Sequence, residues 1–559
     1  MTRMPGRRTR RRRGVVAVLT AALLALPAPL AFADTAGEAA TPAARAPVPA
    51  LTWAACGTTD VATAAGVQCA TADLPLDHDR PGGEQVRIAL ARVPATQPAQ
   101  RIGSLFFNLG GPGAPAVQLM QTSGASILTS LNERFDIIGF DPRGVGQSTP
   151  SIDCKVNQET DGSSPRPWPT PVDLDVEALV GHAQRYVDNC LANNGEILRH
   201  ASTADVARDL DLLRAAVGDQ QLTYFGFSYG TFLGATYAAL FPDRYRAMVL
   251  DGPVDPEQYA DDPVGLSTLQ GAGFEHTLGS FVDACKADQA ACSNFGGTDP
   301  LAAYDALLAS AATTPLPADR YATDPRPVTA DDIRDVTLAL LRAKRVWNVL
   351  ATALAQAAAG DGSLTRALVD LVVRPRRPDG SYDPQLDRFF TITGGEQAWP
   401  TGLDSYVERG AREWVDVPHF WGAFAYSEVP FALWPREAED AYDGPFAVPG
   451  SSPTPLVIAT TDDPATPYPG ARSMVAELGN ARLLTMYGSG HTAFGQDNSA
   501  CVDTAATTYL VDGTLPAPGT VCRQETPFAA PQQAPSQVSA TAVAALAGAG
   551  APGPVATGR

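Results

Sequence analysis

The sequence predicts an α/β fold: a mostly parallel sheet with flanking helices and an inserted helical cap. Three observations point there. Short apolar runs rich in β-branched and aromatic residues recur along the chain, with helical stretches between them. One such run, residues 222–225, leads into Gly226-Phe227-Ser228-Tyr229-Gly230, and helical composition follows over 231–240. The alternation then lapses from about 255 to 448, too long a stretch for a loop in a compact domain.

Taken in order, the chain opens on a basic region with seven arginines between Arg3 and Arg13. An apolar run over 15–26 and Ala31-Phe32-Ala33 before Asp34 complete a secretory leader, 1–33. Pro27 and Pro29 interrupt an apolar core already short for a membrane span. Arg7-Arg8 hints at twin-arginine export. An Ala/Pro-rich arm follows over 34–50. Strands are expected at 70–76, 86–93, 104–109 and 135–140, then at 222–225, 247–251, 455–459 and 481–486. Ser202 or Thr203 caps a helix carrying Val206, Leu210, Leu213 and Val217 on one face and ending at Gly218. Stretches 333–349 and 351–359 read as helices of the cap. The expected division is a first core part at 34–254, a cap at 255–448, a second core part at 449–523 and a flexible tail at 524–559.

Composition excludes some partners. Seven of the 41 Lys and Arg residues lie in the leader, so setting it aside takes the formal charge from −19 to −26. So acidic a surface argues against nucleic acid and anionic membranes. Eight cysteines follow the leader, an even number that suits disulfides in an oxidising compartment. They allow 105 pairings. Their spacing groups them sequentially as Cys56–Cys69, Cys154–Cys190, Cys285–Cys292 and Cys501–Cys522. Without a Cys-x-x-Cys or a histidine cluster, no metal or other cofactor is expected.

A serine on a sharp strand-to-helix turn is lifted above the sheet, with backbone N–H groups beside it. Ser228 is therefore the expected nucleophile. Gly110-Gly111-Pro112-Gly113 follows another strand, and Gly111 N–H with Tyr229 N–H forms the expected oxyanion hole. Asp141 and Arg143, after the next strand, are read as charges bracing a turn. Of six histidines, His491 alone follows a strand in a flexible loop, Gly488-Ser489-Gly490-His491-Thr492, fit to hold a general base. His78, His182, His200, His276 and His419 have no comparable setting. The orienting acid is Asp462 or Asp463, between which order cannot choose; Ser, acid, His is the order of the α/β-hydrolases.

Over residues 53–522 the chain resembles the secreted actinobacterial tripeptidyl aminopeptidases, relatives of the proline iminopeptidases within the α/β-hydrolases. The resemblance rests on Asn-Leu-Gly-Gly-Pro-Gly from Asn108, Phe-Asp-Ile-Ile-Gly-Phe-Asp-Pro-Arg-Gly-Val-Gly-Gln-Ser from Phe135, and Gly-Phe-Ser-Tyr-Gly-Thr from Gly226. Leu-Asp-Gly-Pro-Val-Asp-Pro from Leu250, Gly-Ser-Gly-His-Thr from Gly488 and the closing Cys501–Cys522 segment extend it. The family's Asp-x-x-Thr-Pro falls on Asp463-Pro464-Ala465-Thr466-Pro467, which selects Asp463. The resemblance implies an extracellular or cell-envelope serine exopeptidase releasing short peptides, tripeptides in the family, from free N-termini. A carboxylesterase or lipid hydrolase is the alternative on the same fold, and an inactive binding protein a remote one. Oligomeric state is not legible. Where the family carries Ala-Ile-x-Cys-x-Asp in its cap, this chain has Thr391-Ile392-Thr393-Gly394-Gly395-Glu396. A substrate ammonium needs a carboxylate, so Glu396, with Glu275 second, is the candidate amine anchor.

Overall fold

The computed structural model describes residues 46–525, apart from 378, 436, 437, 496 and 497; the expected leader and nearly all of the expected tail lie outside them. Its strands are β1 (Ala54–Ala55), β2 (Gln68–Pro75), β3 (Gln85–Val93), β4 (Gly103–Asn108), β5 (Phe135–Asp141), β6 (Leu222–Phe227), β7 (Tyr245–Asp251), β8 (Leu456–Asp462), β9 (Arg482–Ser489) and β10 (Val521–Arg523). They form one sheet in the order β1-β2-β3-β5-β4-β6-β7-β8-β9-β10. From β5 to β10 every pairing is parallel, while β1, β2, β3 and β5 pair antiparallel.

The sequence dictates this arrangement. β4, β5 and β6 are buried at every position, as strands covered on both faces must be. Alternate side chains feed opposite layers. Phe106, Ile138, Tyr224 and Leu250 enter one apolar cluster, and Phe107, Ile137, Phe225 and Val249 the other. The helix Thr203–Ala216 begins where Ser202 accepts the Asp205 N–H, and it buries Val206, Leu210 and Leu213.

Between β7 and β8 none of the described residues adds a strand to the sheet. Helices Pro263–Ala287, Pro300–Thr313, Ala330–Leu341, Trp347–Ala358, Gln385–Glu396 and Leu403–Asp416 dominate that insertion. Much of it packs on its own apolar cluster, which includes Phe281, Leu307, Ile333 and Trp347. The sequence reads 333–349 as one helix, but the structure breaks it after Leu341. Apolar periodicity runs through the break, so pattern alone missed it. Ala343 is extended there, and the Arg342 carbonyl accepts the His491 N–H at 2.6 Å.

A second device stiffens the insertion. Arg374 bonds Asp332 at 2.6 Å and Asp335 at 2.7 Å, Arg366 bonds Asp370 at 2.9 Å, and Arg376 bonds Asp324 at 3.0 Å. Arg366 and Arg326 also reach Glu159, which lies before the insertion in the chain. Glu159, Asp324 and Asp370 present oxygens within 4.8 Å of one another, but these arginines neutralise them. Four disulfides join the sequential pairs that spacing suggests. Among the described residues, no helix is long and apolar enough to cross a membrane.

Candidate active site

β6 ends on Phe227, and Ser228 turns the chain with φ +55° before the helix Tyr229–Leu240 starts. A non-glycine residue in that region is strained and persists only where its surroundings hold it. Here Asp251, ending β7, accepts the Ser228 N–H on its backbone carbonyl at 2.9 Å, and the Ser228 carbonyl accepts the Thr231 N–H and hydroxyl. Gly110, at φ +91°, lies against this turn: a Cβ there would sit 2.8 Å from Ser228 Cβ and 3.1 Å from the Tyr229 nitrogen. No larger residue fits. The close approach brings the turn after β4 beside the first N–H groups of the helix. Among the described residues, neither the Gly111 nor the Tyr229 N–H donates to a protein acceptor.

His491 follows β9 and is buried. Its Nδ1 lies 2.9 and 3.0 Å from the two oxygens of Asp463. Asp463 in turn accepts the N–H groups of Ala465 and Thr466, each at 2.9 Å, and the Thr466 hydroxyl at 2.8 Å. An imidazole whose Nδ1–H faces a carboxylate keeps Nε2 as the acceptor. Asp462 points elsewhere: it accepts the Thr277 hydroxyl at 3.1 Å and lies 3.4 Å from the exposed His276. Thr466, whose hydroxyl is also 3.2 Å from His491 Nδ1, is a contact that sequence reading named in a motif without giving it a role.

The end of β7 links Ser228 and His491: the Asp251 carbonyl accepts the Ser228 N–H, and the next residue, Gly252, lies against His491. Gly252, at φ +69°, sits under the imidazole, where a Cβ would come 3.1 Å from Cε1. The arrangement can deprotonate a hydroxyl at Nε2 and hold a developing oxyanion on backbone N–H groups.

Glu396 ends the helix Gln385–Glu396 and is buried. It accepts the Thr203 N–H at 2.8 Å, the Thr203 hydroxyl at 3.0 Å and the Tyr259 hydroxyl at 2.8 Å. Thr203 also bonds the Tyr229 hydroxyl, so the acid connects to the residue after Ser228. Burial pushes the Glu396 carboxyl up to about 7, against the pull of those donors. Glu275 accepts the His419 N–H at 2.7 Å and faces its Nδ1 at 2.8 Å, with Asp305 on Nε2 at 2.9 Å. Burial alone would lower the His419 pKa, but the two carboxylates hold it above its ordinary value. Asp141 and Arg143 brace turns. Asp141 accepts the Val117 and Gln147 N–H groups, and Arg143 grips Asp209 through Nε and Nη2 at 2.8 and 2.7 Å.

A family model described as "TAP-like protein" matches residues 418–522, and one described as "alpha/beta hydrolase fold" matches 105–290. The chain is 34% identical to "Serine protease Hip1" of Mycobacterium tuberculosis over 84% of its own length and 90% of that protein's. The chain belongs to the TAP-like family of α/β-hydrolases. A second relative, "Carboxylesterase B" of M. tuberculosis, is 34% identical over 87% of this chain and 93% of its own. "Tripeptidyl aminopeptidase" of Streptomyces coelicolor is 30% identical over 87% and 88%. This TAP-like chain is a serine hydrolase of peptidase type, and the resemblance read from its motifs agrees with these relatives.

Proposed function

We propose that this chain is an exported serine exopeptidase that releases tripeptides from free N-termini through an acyl-enzyme. The observation that carries the reading is the Asp463 carboxylate on His491 Nδ1, beside a strained Ser228 turn. His491 deprotonates Ser228, Asp463 fixes the imidazole tautomer, and Gly111 and Tyr229 N–H groups take the oxyanion. His491 then returns the proton to the leaving amine, and water repeats the cycle on the ester. In this reading the insertion, residues 255–448, is a cap that limits the depth of the site.

A carboxylate offers about four acceptor positions, and Glu396 uses three. The fourth receives the substrate ammonium; Glu275, already engaged with His419, is the second carboxylate to compare. Export is supported by the arginine-rich leader sequence and by four disulfides.

Free tripeptide amides, their N-acetylated forms and short-chain esters form the deciding panel. Acetylation should cut kcat/KM by roughly 30- to several-thousand-fold, since a buried charge pair lost on one side costs about 2–5 kcal/mol. Equal cleavage of blocked peptides overturns the exopeptidase reading. The second reading, a carboxylesterase, is favoured by the relative of that name and would be established by esters turning over faster than every peptide.

A further inference from the structure

We infer that Asp251 is a positioning residue of the reaction: its buried carboxylate clamps the His491 loop to the strand end that also holds the Ser228 amide. The inference rests on reading Ser228 and His491 as nucleophile and base.

Asp251 is fully buried, and among the described residues no arginine or lysine pairs with it. Its carboxylate accepts the Ala493 N–H at 3.0 Å on both oxygens and the Phe494 N–H at 2.8 Å. Its own carbonyl meanwhile accepts the Ser228 N–H at 2.9 Å. One residue therefore touches the backbone of both reacting loops.

A second observation explains why the loop needs holding. Thr492, immediately after His491, has φ +65°. A β-branched residue there is a genuine outlier. Such a turn points successive N–H groups into one concavity, a nest for an anion, and Asp251 fills it. Without an acceptor, the two buried N–H groups would be unsatisfied and the loop would relax out of its strained form. His491 would move with it, since only Thr492 separates it from Ala493.

The charged groups that act most strongly on Asp251 are His491 and Asp463. Burial raises the Asp251 carboxyl to about 7, while the two N–H groups and the His491 charge pull it down and Asp463 pushes it up. As His491 becomes an imidazolium during acyl transfer, it draws Asp251 toward the ionised form, so a second anion stands behind the ring.

The test is Asp251→Asn in the full chain. This removes the charge and puts an NH2 where acceptors are required. We expect kcat to fall about 30- to 300-fold with KM within threefold, fluorophosphonate labelling of Ser228 to slow in parallel, and the acid limb of kcat/KM to move down by about half a pH unit. Adding Thr492→Gly, which accepts positive φ without strain, should recover at least tenfold in kcat. If Asp251→Asn lacks a cooperative thermal transition, the double variant carries the limb measurement. An unchanged kcat overturns the inference. So does a lower kcat with an unmoved limb, which would make Asp251 a fold-stabilising residue only. Labelling that persists in Ser228→Ala would instead overturn the underlying reading.

Discussion

The sheet end around Ser228 and the helical insertion both bury carboxylates, but they hold them by different means. At the sheet end the partners are backbone N–H groups: Val117 and Gln147 on Asp141, Ala493 and Phe494 on Asp251, Ala465 and Thr466 on Asp463. In the insertion's ion-pair network they are guanidiniums: Arg326 and Arg376 on Asp324, Arg374 on Asp332. N–H dipoles offset burial only partly at Asp141 and Asp251, while the guanidiniums around Asp324 outweigh it. Burial therefore raises Asp141 to about 6 and Asp251 to about 7. The Arg326 bond and its neighbours instead drive Asp324 down to about 2. The arginine network keeps Asp324 ionised well below neutrality, whereas Asp141, Asp251 and the insertion's own Glu396, held by N–H and hydroxyl donors, can change state near it.

The sharpest way to break this comparison is at the proposed reactive centre. Ser228→Ala should lower kcat by about 10³–10⁶ with the fold intact and abolish fluorophosphonate labelling; labelling on another serine would move the centre. Next comes the choice of acid. Asp463→Asn should cost on the order of 10⁴ in kcat through loss of the imidazole tautomer. Asp462→Asn, which touches Thr277 and His276, should stay within about tenfold, and equal effects would remove Asp463 from its place.

Arg366→Met tests the other region. It leaves Glu159 and Asp370 short of a buried partner and should destabilise by about 3–5 kcal/mol in denaturant unfolding. Ser228 labelling below the transition should survive. A loss under 1 kcal/mol would show that the ion pairs there are dispensable.

The smallest effect is a pH slope. Glu396 has a folded pKa raised to about 7, so the folded state binds its proton more tightly than the unfolded state. Its stabilisation is complete below the ordinary carboxylate range and is lost as pH rises from about 4.5 to about 7, a change of about 3 kcal/mol. Asp251 and His419, both also raised, slope the same way, His419 losing its share above about 6.5. Thermal unfolding of Glu396→Gln should therefore be flatter across pH 4.5–7 than that of the parent; identical slopes would contradict the assignment.

Much of the sheet end was legible in the sequence because its elements are local. β4, β5 and β6 are continuous apolar runs, the Ser228 elbow is five adjacent residues, and Asp463 and Thr466 share one motif. The ion pairs were not legible. Arg366 and Glu159 are 207 positions apart, and no pattern in either stretch names the other. Asp251 escaped for a different reason: an acid ending a strand reads as an ordinary turn residue, and its work appears only once Ala493 and Phe494 face it. The helix break at Arg342 was hidden by an apolar periodicity that continues through it.

That break bears on engineering. The Arg342 carbonyl, at the end of an insertion helix, is hydrogen-bonded to the His491 N–H. A chimera that replaced the whole insertion with one from another hydrolase would take away a support of the proposed base, His491, along with the proposed cap. Crossover points that leave residues 330–346 in place preserve that support, so a specificity graft should be designed as two patches on either side of this helix and turn.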